Sequence, residues 1–254
     1  MGWKRSEAFV LRAIPLGESD RIVSLLTREE GRIRGVARNA RRSRRRFGGS
    51  LELLSRVRTT WFEREGAELV RVESCELLES QFPLVQGSLE VAFLLNYLAE
   101  LAEGFSRERE PDHRFFRLLG SCLAAARAGA DPVRLARYFE IWTLRLHGVL
   151  ADLESCSRCG RDLAAGAAAL PGGDREILCS RCRPRGGEDS IRLRGGDLRW
   201  IRRLLRSGPS EICMPGAPDP PGPALARYAR REIEAYLEQP LRSYRFLATG
   251  GSAR

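Results

Sequence analysis

A chain of 254 residues that is 43% hydrophobic carries enough apolar material for one large domain or two modest ones, which excludes wholesale disorder. Its net charge of +10 points to a polyanionic partner, nucleic acid before an anionic membrane surface. Lys4 is the sole lysine and stands in Trp3-Lys4-Arg5, so a Gly-Lys-Ser/Thr phosphate loop is excluded.

The first 80 residues read as strands. Glu7–Ile14 is rich in β-formers and ends at Pro15-Leu-Gly17. Arg21–Thr27 follows, then a turn at Glu30-Gly31. Arg32-Ile-Arg-Gly-Val-Ala-Arg38 alternates with period two, which places Arg32, Arg34 and Arg38 on one face and Ile33 and Ala37 on the other. Leu53–Glu63 and Leu69–Leu77 complete five strands, with a long connection after the third. This spacing predicts a small closed barrel of the OB-fold type.

The long connection is the most charged part of the chain. Eight arginines (32, 34, 38, 41, 42, 44, 45 and 46) fall between residues 32 and 46 without an acid among them. Residues 1–60 hold 15 basic and 6 acidic groups, residues 61–182 hold 14 and 19, and residues 183–254 hold 14 and 8. Two basic ends flank an acidic middle, a segregation that an Arg-rich composition alone does not produce. Phe47 and Gly48-Gly49 follow the run, a candidate stacking ring beside a hinge. Arg and aromatic side chains on a barrel face hold single strands without sequence preference, so Arg32, Arg34, Arg38, Arg41, Arg42, Arg44, Arg45, Arg46 and Phe47 are candidate nucleic-acid contacts.

After residue 80 the period changes to that of helices. Val91, Leu94, Leu95, Leu98, Leu101, Ala102 and Phe105 recur at helical spacing, as do Phe115, Leu118, Leu119, Cys122 and Ala126. Asp131-Pro132 reads as an N-cap and first helical residue, followed by a stripe of Leu135, Phe139, Trp142, Leu146 and Val149. These stripes are read as core. Two further helices are expected near 197–206 and 224–237, separated by the Pro-rich loop Pro215–Pro223. In the first, Arg199, Arg202, Arg203 and Arg206 fall at i, i+3, i+4 and i+7, opposite Leu198, Ile201 and Leu205, a second candidate nucleic-acid surface. His113 and His147 fall in helical pattern and are read as ordinary helix residues. Acidic residues form no paired motif, and no enzyme is expected.

No apolar targeting core opens the chain and no run approaches the ~18 apolar residues of a membrane span, so a cytoplasmic chain without disulfides is expected. Of seven cysteines, Cys75, Cys122 and Cys213 stand alone and are read as buried hydrophobes. Cys156-Ser-Arg-Cys159 and Cys179-Ser-Arg-Cys182 are two C-x2-C knuckles 19 residues apart. Each knuckle aims two thiolates at one point, and the pair completes a tetrahedron for one structural Zn²⁺ per chain. Gly160 relieves the first turn, and Leu170-Pro-Gly-Gly173 is expected to fold the second knuckle back. Four thiolates leave no open coordination position, and no H-x-E precedes them, which disfavours a nucleobase deaminase.

Ala8-Phe-Val-Leu-Arg, Gly17-Glu-Ser-Asp-Arg21, Leu25-Leu-Thr27 and Gly31-Arg-Ile33 resemble the N-terminal block of the family of bacterial RecO recombination mediators. Ala37-Arg38 through Ser43 and Phe47-Gly-Gly-Ser-Leu51 are similar to its basic loop. His147-Gly148, Leu153 and Cys156-x-x-Cys-Gly160 resemble the approach to its zinc motif, and Leu241-Arg-Ser243 with Arg245-Phe-Leu247 its C-terminal tail. The resemblance implies an α+β chain: an OB-fold nucleic-acid-binding domain at 1–80, then a helical domain at 81–254 with a zinc-finger-like insert at about 151–186. It implies a non-catalytic, nucleoid-associated role in DNA repair. The partners it implies are single- and double-stranded DNA, RecR, the C-terminal tail of the single-strand-binding protein and, indirectly, RecA, with no membrane. The family often carries lysines in the basic loop where this chain has arginine alone.

From the residues alone, a zinc-containing OB-fold RNA-binding protein fits the same features. A zinc hydrolase needs an open metal site, and a membrane-surface protein would share only the charge. If about five phosphates are engaged, single-strand affinity is expected to fall with a log-salt slope of about −3 to −4.

Overall fold

A computed structural model describes residues 2–163, 168–170, 176–183, 190–218 and 221–244. The architecture is α+β, a barrel followed by helices. The barrel strands are β1 (Gly2–Leu16), β2 (Asp20–Thr27), β3 (Gly31–Ala37), β4 (Arg56–Glu63) and β5 (Val70–Glu79), closed in the order β1-β2-β3-β5-β4. All neighbours are antiparallel except β3 and β5. β1 closes the ring because its 15 residues pair with β4 along the first half and with β2 along the second. A register shift between Val10 and Arg12 bends it between the two partners.

The alternation of β3 is as its sequence indicates: Ile33, Gly35 and Ala37 point inward, Arg34 is exposed, and Arg32 is half-buried. The barrel core joins Ala8, Val10, Val23, Leu25, Ile33, Ala37, Val57, Trp61, Val70, Val72 and Cys75 with Phe47 and Leu51 from the β3–β4 connection. That connection carries a one-turn helix, α1 (Arg44–Phe47).

The chain divides into two compact units. One takes Met1–Gly120 and the described residues from Arg242 on, and the other takes Ser121–Leu241. The first unit adds to the barrel α2 (Phe82–Gly87), α3 (Leu89–Phe105) and the start of α4 (His113–Arg127). Ser88 caps α3 by accepting from the Val91 N–H, and the helix buries Leu94, Leu95, Leu98, Leu101, Ala102 and Phe105. Phe9, outward on β1, packs its ring 4.8 Å from that of Phe116. Glu100 accepts from the N–H groups of Arg242 and Ser243 at 2.8 and 2.9 Å, which fastens the returning chain to α3.

The second unit is built on α5 (Pro132–Leu146), whose N-cap Asp131 accepts from the Arg134 N–H at 2.9 Å. It is buried along nearly its whole length and carries an internal ion pair, Arg137–Glu140 at 2.6 Å. α7 (Pro209–Ile212) and α8 (Pro223–Leu237) pack on it, and α8 with α6 (Gly195–Leu204) carries a three-stranded sheet, β6 (Ala168–Leu170), β7 (Leu178–Cys179) and β8 (Ile191–Leu193), in the order β7-β6-β8. This sheet, α2 and α7 are additions to the sequence reading. Cys75, Cys122 and Cys213 are buried, as expected of small hydrophobes. Residues 171–173 of the Leu170–Gly173 turn, 219–220 of the Pro-rich loop and Arg245-Phe-Leu247 lie outside the described residues.

Gly35 sets the closure. A Cβ at this position would meet the Val70 side chain and carbonyl oxygen at 2.7 Å and the Val72 side chain at 2.8 Å. Gly35→Ala is expected to cost about 1–3 kcal/mol of stability, read as a lower urea midpoint with an unchanged m-value.

Candidate nucleic-acid interface and metal centre

The eight loop arginines divide by what holds them. Arg34, Arg38, Arg41, Arg42, Arg44 and Arg45 are exposed. Arg34, Arg44 and Arg45 form no ion pair among the described residues. Arg41 donates to the Glu18 carbonyl at 3.1 Å, and Arg42 lies 3.7 Å from the Glu18 carboxylate. The backbone ties the same two loops: the Arg41 N–H donates to the Ser19 carbonyl at 3.0 Å and the Asn39 N–H to Asp20 at 2.8 Å. That Asn39 N–H, with the Ser19 hydroxyl and the charge of Arg38, holds the Asp20 carboxyl below its ordinary value.

Arg32 and Arg46 are braces. Arg32 pairs with Glu108 at 3.3 Å and exchanges backbone hydrogen bonds with Arg107 and Arg109. Arg46 donates to the Arg38 carbonyl at 2.7 Å, pairs with Glu73 at 3.7 Å and lies over the Phe47 ring at 5.2 Å from its centroid. The stacking role expected of Phe47 is corrected: the ring is 2% exposed, plugs the barrel core beneath Arg46 and offers no open face to a base.

The second candidate surface is also altered. α6 ends at Leu204, so Arg206 lies beyond the helix, and the buried side is Leu198, Trp200, Ile201 and Leu204 in place of Leu205. Arg199 and Arg206 are exposed. Arg203 pairs with Glu211 at 3.8 Å. Arg202 is half-buried, donating to the Leu153 carbonyl at 3.3 Å and lying 3.5 Å from Asp162. It supports the cysteine hairpin, so the four guanidiniums do not form one open face.

The four knuckle cysteines come together. The sulfurs of Cys156, Cys159, Cys179 and Cys182 all lie within 4.8 Å of one another. The first knuckle turns at Gly160, whose φ of +67° is the left-handed region glycine favours and whose N–H donates to the Cys156 carbonyl at 2.8 Å. Ser157 N–H donates to the Ile177 carbonyl and Cys179 N–H to the Cys156 sulfur at 3.3 Å, which stitches the knuckles together. Burial raises the Cys156 thiol, but N–H donors from Cys179, Cys159 and Arg158 outweigh it and bring it down to about 6. The Cys182 thiol, donating to the Cys159 sulfur and partly desolvated, is pushed up to about 12. Sulfurs of a regular zinc tetrathiolate stand about 3.8 Å apart, and the Cys159 and Cys179 sulfurs are separated by 3.8 Å. The donor set fits a closed tetrahedral metal site.

Two family models cover nearly the whole chain: the recombination protein O N-terminal model matches residues 1–81 and the C-terminal model residues 86–245. The chain belongs to the RecO family. A protein of Koribacter versatilis named DNA repair protein RecO is 38% identical over 244 residues, covering 94% of this chain and 95% of the relative. Proteins of the same name from Anaeromyxobacter sp. and Geobacter sulfurreducens are 36% and 34% identical, covering 91% and 96% of this chain and 89% and 96% of the relatives. Among the described residues no helix is long and apolar enough to cross a membrane. In this RecO-family barrel the exposed and the bracing arginines predict different costs. Arg46→Ala is expected to lose about 1 kcal/mol through its carbonyl bond, and Arg45→Ala to stay within about 0.5 kcal/mol of the parent, both read from denaturant midpoints.

Proposed function

We propose that this RecO-family chain is a non-catalytic mediator of DNA repair that binds single- and double-stranded DNA and anneals complementary strands. In the same reading it works with RecR to load RecA onto DNA coated by the single-strand-binding protein, whose C-terminal tail it contacts, in the bacterial cytoplasm at the nucleoid. The observation that carries the reading is six exposed arginines on β3 and the connection that follows it, in a chain matched by the family along nearly its full length.

The mechanism follows from charge. Annealing is opposed by repulsion between two phosphate backbones. Arg34, Arg38, Arg41, Arg42, Arg44 and Arg45 lower that repulsion by standing among the phosphates, and base pairing then supplies the driving force without ATP. Arg199 and Arg206 are the remaining members of a second contact surface. Residues 1–80 form the DNA-binding domain in this reading, and residues 81–254 the helical domain with its insert at about 151–186. Cys156, Cys159, Cys179 and Cys182 would hold one Zn²⁺, which cross-links the two knuckles when bound. Four sulfur donors complete its coordination, so the site supports the fold and performs no hydrolysis.

The test is annealing of two complementary single strands, each precoated with single-strand-binding protein, without ATP. The parent chain is expected to anneal them, and a chain with Arg41, Arg42, Arg44, Arg45 and Arg46 changed to Ala to fail. Failure of the folded, zinc-loaded parent would sink the reading and make structured RNA the next substrate. With six phosphates engaged, the single-strand log-salt slope is expected near −4. Metal analysis is expected to find about one zinc per chain, with Cys179→Ser losing the metal and lowering the thermal midpoint.

A further inference from the structure

With Phe47 buried, the loop offers no ring to a base, yet the barrel carries an aromatic pair elsewhere, Trp3 exposed and Phe62 half-buried. One row of outward positions can be followed across every strand by its register. Ile14 pairs with Ile22, Ile22 with Val36, Val36 with Arg71, Arg71 with Phe62, and Phe62 with Trp3. Neighbours such as Val23, Ala37, Val72 and Trp61 lie in the core, so alternation turns this row outward. Trp3 is 59% exposed and Ile14 43%. Ile22, Val36 and Phe62 are half-buried. Five of six members are apolar on a face that meets water, where a small barrel ordinarily carries polar side chains. The Trp3 and Phe62 rings meet edge-to-face with centroids 5.3 Å apart.

The row lies at the barrel end from which connections 17–19, 38–43 and 64–69 project, the end of the basic loop. Glu73 ties the two together. Its carboxylate lies 2.8 Å from Arg71 in the row and 3.7 Å from Arg46 in the loop.

We infer that this row is the base-binding half of a single-strand site whose phosphate-binding half is the arginine loop. Trp3 and Phe62 stack on bases, Arg71 lies beside them, and Val36, Ile22 and Ile14 continue the apolar track. The charge of the adjoining loop selects a polyanion as the occupant, and the rings select one whose bases are unpaired. A duplex keeps its bases stacked inside, so the row contributes nothing to duplex binding. This inference rests on the DNA-binding reading above and extends it to the base contacts.

The probe is an oligo-dT of about twenty nucleotides, titrated by anisotropy beside a duplex of equal length. Trp3→Ala and Phe62→Ala are each expected to weaken oligo-dT binding about tenfold while leaving duplex affinity and the log-salt slope unchanged. Trp3→Phe retains most of the affinity. Because Trp61 and Trp200 are buried and Trp142 is half-buried on α5 of the other compact unit, oligo-dT is expected to quench intrinsic fluorescence mainly through Trp3, and the quench to vanish in Trp3→Ala. Should Trp3→Ala fail to fold, the quench in the parent chain and the affinity of Trp3→Phe still decide. Unchanged oligo-dT affinity in both folded alanine variants overturns the inference. So does a loss of self-association by sedimentation with oligo-dT affinity intact, which would make the row a protein-docking surface. A parent chain that binds neither DNA, or binds without salt dependence, instead removes the DNA-binding reading and this inference with it.

Discussion

Closure of the barrel through the parallel contact of β3 and β5 is the constraint on which the DNA-facing end depends. Only three residue pairs make it, Gly35–Val70, Val36–Arg71 and Ala37–Val72. The backbones can approach because Gly35 has no side chain to place between them. Once β3 ends against β5, the chain must travel to the opposite end of the barrel to begin β4. It does so by laying Phe47 and Leu51 into the core. The arginine run is therefore anchored by an apolar plug at its own C-terminal edge, and its position follows from burial more than from charge.

Electrostatics then has to keep a cluster of like charges ordered without cancelling it. Exposed ion pairs contribute little and neutralise what they hold. Here much of the anchoring falls to peptide dipoles. Arg46 donates to the Arg38 carbonyl, Arg41 to the Glu18 carbonyl, and the Asn39 N–H to Asp20. A carbonyl orients a guanidinium and leaves its full charge in the field. The acids that do approach, Glu18, Asp20 and Glu73, are fewer than the guanidiniums they face. The positive potential thus survives the ordering of the residues that create it, which long-range attraction of a polyanion requires.

The elements legible in the sequence were those whose signal is local. The Arg-Ile-Arg-Gly-Val-Ala run of β3 shows its two faces directly, the apolar stripes of α3 and α5 recur at 3.6 residues, and the cysteine knuckles announce themselves by spacing. The misreadings were non-local. Phe47 is flanked by arginines and glycines, so nothing within ten residues tells that it faces the core; that depends on where β3 meets β5. Arg202 has helical spacing with other arginines, but its partner Asp162 lies forty residues earlier. Trp3 and Phe62 become neighbours only when β1 closes on β4. The strands of the small sheet run for two or three residues, too short for period two to show.

The register shift in β1 has a consequence for parity. Before it, odd-numbered side chains point outward: Trp3, Arg5 and Glu7. After it, even-numbered ones do: Arg12 and Ile14. One strand thereby contributes to the outer row twice, eleven residues apart, an odd interval that an uninterrupted strand would send to opposite faces. The bulge acts as a phase inverter, and it is what allows a single strand to close the ring and still show the same surface at both of its ends.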